Sequence, residues 1–274
     1  MNGLPWEDLP LEAKLIGVRD FASIVSQLSQ LHFRAIGSIY FKFGDQFKQN
    51  PVGFVLGPVS WCKPESAARA AAFHHDRGPW KAVAQWLSAS VEDEIQFVEK
   101  LPTLALETST RKNGLERRCR LAQKILPKFR DRIPDLREDP FDQCATGPFV
   151  LGHMDLNPWN MIFCPKGPNA GRIVSIIDWE MSLTVPLWSL VCYPLWFDRI
   201  SSSEARKPAE GQYFKDAYIR QLLQVQQHAK EAIVLRVVQN AQYEARRRFL
   251  EIAILPWDAA EVMERWMEQN PRRR

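Results

Sequence analysis

The sequence predicts an α+β fold, mainly helical with short β-hairpins, and three observations predict it. From Val18 to Leu31 apolar residues recur at spacings of three and four, the period of one helix face. The period then changes: Ile36 to Phe43 and Gly53 to Val59 are short runs rich in β-branched and aromatic residues, separated by Gly-Asp and Asn50-Pro51 turn signals. Later, the apolar run Phe149-Val150-Leu151-Gly152 enters a loop of acidic and amide residues, and two further apolar runs, Met161 to Phe163 and Ile173 to Ile177, flank a turn.

Taken in order, Val18, Phe21, Ile24, Val25, Leu28 and Leu31 form the apolar stripe of a first helix, and the two strands after it make a hairpin. Asp76-Arg77-Gly78-Pro79 reads as a turn that delivers Pro79 to a helix start, continued by Trp80, Val83, Trp86, Leu87, Ile95 and Val98. Another helix covers Leu115 to Phe129, and Pro134, Pro140 and Pro148 mark an irregular approach to Phe149. The uncharged stretch Ser182 to Phe197 is too short for a membrane span, is broken by Pro186 and Pro194, and reads as buried core. Tyr213 to Gln227 and Ala229 to Leu255 read as helices, and Asp258 with Glu261 as an acidic capping-box variant opening a last helix through Val262 and Trp266. With no internal repeat and no low-complexity linker, residues 1–274 are expected to form a single domain.

Composition narrows the function classes. A hydrophobic content of 46% supplies a substantial core, and a net charge of +4 is modest. The basic clusters Arg117, Arg118 and Arg120, Arg246 to Arg248 and Arg272 to Arg274 are interleaved with helical apolar positions or terminal, so they read as solvated faces. No nucleic-acid partner and no membrane are expected. Cys62, Cys119, Cys144, Cys164 and Cys192 are odd in number, far apart and without a C-x-x-C pair, which argues against a zinc site or a disulfide framework. Glu7 and Asp8 stand where a secretory leader carries Lys or Arg, so the expected setting is the cytoplasm.

The chemistry concentrates between His153 and Glu180. Phosphoryl transfer needs a carboxylate to orient and accept the proton of an attacking hydroxyl, and metal ions to neutralise charge on the phosphates. Asp155 suits the first task and Asn160, five residues on, the second. Leu156, Pro158 and Trp159 are expected to stiffen the loop between them. The hairpin from Met161 to Ile177 then returns the chain so that Asp178 lies beside Asn160. A carboxylate at the end of a buried apolar strand calls for a compensating cation, and magnesium suits one carboxylate, one amide oxygen and substrate phosphates.

These residues, His153-Met-Asp155-Leu-Asn-Pro-Trp-Asn160 and Ile177-Asp178-Trp179-Glu180, resemble the brick of the aminoglycoside phosphotransferase and choline kinase-like family, particularly its fungal members: H-x-D-x-x-x-x-N, a hairpin, then I-D-W or I-D-F. The resemblance implies a protein kinase-like fold of which this chain looks like the C-terminal lobe. It implies Asp155 as catalytic base, Asn160 and Asp178 as magnesium ligands and His153 as a loop-organising residue, with ATP and Mg2+ as cofactors and a small-molecule hydroxyl as acceptor. Glu180 is read either as a substrate contact or as a helix-start residue.

The family's N-terminal nucleotide-binding lobe, with a glycine-rich loop and a strand lysine, is expected to be missing, since none of the 13 glycines forms G-x-G-x-x-G. Lys42 is read as a surface strand lysine in place of that partner. The alternative function is a catalytically weak or inactive kinase-like binding protein. Trp179, Trp188 and Trp196 are read as core packing ahead of a cation-binding wall. His32, His74, His75 and His228 have no partner at ligand spacing, and oligomeric state is left open.

Overall fold

Pro10, extended at φ −63° and ψ 154°, stands immediately ahead of helix α1, Leu11–Leu28, where a residue without a backbone N–H leaves no helical bond unmade. The computed structural model describes residues 6–43, 51–60, 76–105, 112–133, 149–197, 209–225, 238 and 241–271. After α1 these residues form strands β1 (His32–Phe33), β2 (Ser38–Lys42) and β3 (Gly53–Gly57), then helices α2 (Val83–Ala105) and α3 (Lys112–Arg130). Strands β4 (Phe149–Gly152), β5 (Met161–Phe163), β6 (Ile173–Ile176) and β7 (Leu183–Pro186) follow, and helices α4 (Leu187–Val191), α5 (Ala209–Val225), α6 (Ala241–Ala253) and α7 (Ala260–Gln269) complete an α+β chain. It divides into two compact units, Met1–Phe33 with Pro148–Glu244 and Arg34–Gly147 with Ala245–Arg274.

In the first unit β4 is the centre of an antiparallel sheet of order β1-β4-β7, with Val150 opposite His32 on one side and Val185 on the other. Helix α1 packs along α5 and buries Val18, Phe21, Ala22 and Val25. Around Phe21 the rings of Trp196 at 5.4 Å, Tyr218 at 5.8 Å and Phe197 at 6.3 Å close an aromatic core, and the Tyr218 hydroxyl donates to the Val191 carbonyl at 3.0 Å. Each such ring pair contributes roughly 0.5–1.5 kcal/mol beyond its area burial. Trp188 and Trp196 are buried, in line with the expected packing role.

The turn of the β5–β6 hairpin docks on α1 with backbone directly against backbone. Gly171 has φ +85°, and a Cβ there would collide with the Ala13 carbonyl oxygen. Beside it Asp20 of α1 accepts from the Ile173 backbone N–H at 3.0 Å and from Arg172 Nε at 2.9 Å. A carboxylate 153 positions earlier in the chain thus fixes the strand that carries the end of the motif.

In the second unit α2 packs on α3 and α3 on α7, with Phe129 stacked on Phe249 at 4.6 Å and Trp266 edge-on to both. Glu94 is fully buried and accepts from the Trp257 N–H at 2.8 Å. Strands β2 and β3 pair from Ser38↔Gly57 to Lys42↔Gly53, and Lys42 is exposed at the end of β2. Among the described residues no helix is long and apolar enough to cross a membrane.

Several expectations change in detail. The first helix begins at Leu11 and ends at Leu28, earlier at both ends than the stripe suggests. Pro79 does not open a helix: Asp76 accepts from Gly78 N–H and Trp80 Nε1 at 3.0 Å each, Trp80 bridges to Ile36, and α2 starts at Val83. The capping box at Asp258 does not form. The chain enters α7 through a 3-10 turn, Trp257–Ala259, which places Asp258 inside the turn and leaves Ala259 at the cap, while Asp258 lies 3.9 Å from Arg118. Most of the strand-to-strand connection after Phe43, the approach from Pro134 to Pro148, and nearly all of 226–240 lie outside the described residues.

The Gly171 contact yields a stability test. Gly171→Ala is expected to lower unfolding free energy by on the order of 3 kcal/mol, combining left-handed strain with overpacking. Gly167→Ala, at φ +79° but with nothing within 4 Å, should lose only about 1 kcal/mol. Equal losses in urea denaturation would contradict the docking described.

Candidate active site

Strand β4 ends at Gly152, and the next residues turn sharply: Met154 has φ +68°, a left-handed backbone that a non-glycine residue adopts at a cost of about 1–2 kcal/mol. That turn sends His153 inward, 1% exposed, and Asp155 outward into solvent. His153 Nε2 lies 2.7 Å from the Ile177 carbonyl oxygen; a carbonyl only accepts, so Nε2 carries the proton. Its Nδ1 is buried with no hydrogen-bond partner among the described residues, and the ring rests on Trp179 with centroids 4.7 Å apart. A side chain so enclosed ties the loop to the returning strand.

Asp155 is held by two amides. Asn157 Nδ2 donates to its Oδ1 at 2.6 Å, and Asn160 Nδ2 donates to its Oδ2 and to its backbone carbonyl at 2.9 Å each. An ionised carboxylate has about four acceptor positions, so each oxygen keeps capacity for a further partner from solvent. Asn157 also caps the 3-10 turn Pro158–Asn160, its Oδ1 accepting from the Trp159 N–H at 2.8 Å. One amide therefore ties the Asp155 carboxylate to the backbone of the turn. Asn157 was not singled out in the sequence; its place two residues after an Asp and one before Pro, the pattern of an Asx cap, is the signal that could have found it. The expected stiffening by Trp159 is corrected: the indole is 72% exposed and packs little, while Pro158 is buried and Asn157 supplies the rigidity.

Asn160 is 8% exposed. Because Asp155 offers only acceptors, the Asn160 nitrogen must face it, and its Oδ1, which accepts nothing from the described residues, points elsewhere. The backbone carbonyl of Asn160 accepts from the Ile177 N–H at 3.0 Å, extending the ladder that pairs Met161 with Ile176. The sequence-predicted juxtaposition of 160 with 178 is thus made through the peptide that precedes Asp178.

Asp178 itself has φ +65° and ψ 49°, a left-handed conformation that Asp visits more readily than most residues. Its carboxylate makes no hydrogen bond or ion pair with the described residues. The expected buried strand before it is corrected: in a two-stranded hairpin only one face reaches the core, so Met161 and Phe163 are buried while Val174 is 69% exposed and Ile177 and Asp178 are exposed as well. Trp179 Nε1 donates to the Ile176 carbonyl at 3.0 Å, which packs the indole back over the segment. Glu180 is exposed in the 3-10 turn Trp179–Met181, without a bond to the described residues; three residues of turn give it little dipole to meet.

The donor set fits a hard cation. Asn160 presents an amide oxygen and Asp178 an uncommitted carboxylate, and magnesium takes one or two such ligands with phosphate oxygens completing the shell. Among the described residues no three His, Cys, Asp or Glu side chains gather into a metal-binding group. Among the described residues nucleophilic cysteine chemistry has no support: burial pushes the Cys119 thiol up from its ordinary range, and Cys164 Sγ meets only the Lys166 carbonyl at 3.5 Å. His74, His75, His228, Cys62 and Cys144 lie outside the described residues, and His32 is exposed in β1.

With this geometry in place, comparison with known proteins gives one match. The sequence model of the phosphotransferase enzyme family, APH, matches residues 64–218, more than half of the chain and the whole of the segment just described. No curated protein and no solved structure matches the chain.

Removing the anchor should show in stability. His153→Ala opens a buried space and leaves the Ile177 carbonyl without its donor, and about 2 kcal/mol or more of unfolding free energy should be lost in a urea titration. A loss below about 0.5 kcal/mol would contradict the anchoring role, being the ordinary range for a surface change.

Proposed function

The chain belongs to the phosphotransferase enzyme family, and from that premise we propose that it transfers the γ-phosphoryl group of ATP, with magnesium, to a hydroxyl of a small molecule. The observation that carries this reading is the arrangement of three oxygen-bearing side chains around one anchored peptide. Asp155 faces solvent on two amide supports, Asn160 turns its amide oxygen away from Asp155, and the backbone bond from Ile177 N–H to the Asn160 carbonyl supports a placement of Asp178 on the same side.

In the proposed reaction Asp155 accepts a hydrogen bond from the acceptor hydroxyl and orients its oxygen. That oxygen bonds to the γ-phosphorus as the bond to the β-phosphate oxygen breaks, the hydroxyl proton passes to Asp155, and ADP departs with the bonding electron pair. Magnesium, when bound, neutralises charge on the phosphate oxygens, and Asn160 Oδ1 with Asp178 would hold it. Asn157 prevents Asp155 from rotating away from the acceptor, and His153 keeps the Asp178 segment in register with Asn160. The proposed setting is the cytoplasm, where ATP and magnesium are supplied together; the free thiols of Cys119 and Cys164 suit its reducing conditions.

The test is release of ADP from ATP and magnesium in the presence of a panel of amino alcohols and sugar alcohols. At least one acceptor should raise the rate above that with ATP alone, and Asp155→Asn should lower the acceptor-dependent rate by about 10²–10⁴-fold in protein that stays folded at the assay temperature. Asn157→Ala should lower kcat by on the order of tenfold, through misplacement of Asp155, with a smaller effect on KM. No acceptor-dependent ADP across the panel, or a rate indifferent to Asp155→Asn, would overturn the proposal.

A further inference from the structure

The exposed side of α3 carries cations that the rest of the unit leaves unneutralised. Arg117, Arg120 and Lys124 lie three and seven positions apart, one stripe of the helix, while Cys119, Ala122, Ile125, Leu126 and Phe129 face the core. Across from this stripe α7 contributes Glu261, Glu264 and Arg265, and the two helices border a shallow cavity of about 580 Å³, wide open to solvent, over Leu121.

The charges on its walls do not close onto each other. Elsewhere on α3 two arginines have acidic partners, Arg130 meeting Glu92 at 2.8 Å and Arg118 meeting Asp258 at 3.9 Å and lying over the Trp257 ring at 5.9 Å, while Lys128 is exposed without one among the described residues. In the cavity Arg117 and Lys124 make no hydrogen bond or ion pair with the described residues. Arg120 reaches only Glu116, at 3.7 Å and with both side chains more than half exposed. Arg265 Nε donates to the Glu261 backbone carbonyl at 3.3 Å rather than to a carboxylate. Four cations against two carboxylates leave the cavity with a net charge of +2. Three exposed cations of α3 and one of α7 thus border a single groove, and its two acids stand on the α7 side.

We propose that this cavity is a binding site, separate from the residues around Asp155, for a small molecule bearing two or more phosphate charges and free hydroxyls. The guanidinium groups of Arg117 and Arg120 and the ammonium of Lys124 take the phosphate oxygens, for which Arg offers a two-donor fork and Lys a point charge. Glu261 and Glu264 accept from the hydroxyls. A bare anion satisfies only the α3 wall, so ligands with both groups are favoured over phosphate alone. The site is independent of the proposed transfer reaction and stands or falls without it.

The probe is inorganic tripolyphosphate, titrated calorimetrically into the full chain in metal-free buffer at low salt. Wild type should bind it, and the double reversal Arg117→Glu with Lys124→Glu should weaken binding by about tenfold or more. A control reversal with the same change in net charge, Lys81→Glu with Lys166→Glu at exposed positions outside the cavity, should weaken it by less than about threefold. Glu261→Gln with Glu264→Gln should tighten binding a few-fold by removing like charge from the opposite wall. Equal weakening in the two reversals would reduce the effect to net charge and overturn the proposal. So would absence of tripolyphosphate binding, including the case in which a short RNA binds and tripolyphosphate does not.

Discussion

The site depends on how one peptide, that of Ile177, is held. Its N–H is taken by the Asn160 carbonyl, its carbonyl by His153 Nε2, and the preceding carbonyl of Ile176 by the Trp179 indole. Each bond alone contributes about 1 kcal/mol net, which is small. Together they remove the alternatives open to a two-stranded hairpin, which by itself is marginal in water. They also tolerate left-handed backbone at Met154 and Asp178, two strained positions that flank the loop and the returning strand. Strain of this kind persists where the surroundings over-determine it, and here the determinants are a buried imidazole and a β-ladder.

A division of labour among the polar residues follows. His153 and the backbone of Asn160 do the anchoring, while the side chains of Asp155, Asn160 and Asp178 keep acceptor capacity that the fold does not use. Asn160 serves both purposes: its nitrogen steadies Asp155, and the oxygen of its side-chain amide accepts nothing from the described residues. Further out, Asp20 on α1 bonds to Arg172 and to the Ile173 N–H, and Gly171 lets the hairpin turn sit directly against the α1 backbone. The chemistry of the loop is thus coupled to the packing of a helix more than a hundred residues earlier. Asp20 is a structural residue in this account, although its carboxylate is as chemically capable as those of the loop.

Much of this was legible before any coordinates because the information is local. Apolar residues at helical spacing locate α1, α2 and α3, and the alternation of short apolar runs with turns locates β4, β5 and β6. The residues of the motif carry their own chemistry, so Asp155, Asn160 and Asp178 could be named from spacing. What spacing could not reveal is tertiary. Strand β7 is buried at all four positions, and a continuous apolar run has no period to distinguish strand from buried helix. Asn157 reads as a spacer inside the motif, and only the Asx geometry shows that it clamps Asp155. Asp258 looked like a cap because its local pattern is right, and an entering 3-10 turn moved the cap to Ala259. The exposure of Asp178 depends on which hairpin face meets the core, a question no run of four residues answers.

The central claim is that Asn160 and Asp178 form, with substrate phosphates, the metal-holding side of a centre whose acceptor side is Asp155. It is tested most directly by anomalous diffraction from crystals grown with Mn2+ and a non-hydrolysable ATP analogue. The account predicts a manganese peak within coordination distance of Asn160 Oδ1 and of an Asp178 carboxylate oxygen, bridged to the analogue's phosphates. A peak coordinated by other residues, or an analogue bound with Asp178 turned away from the metal, would contradict it.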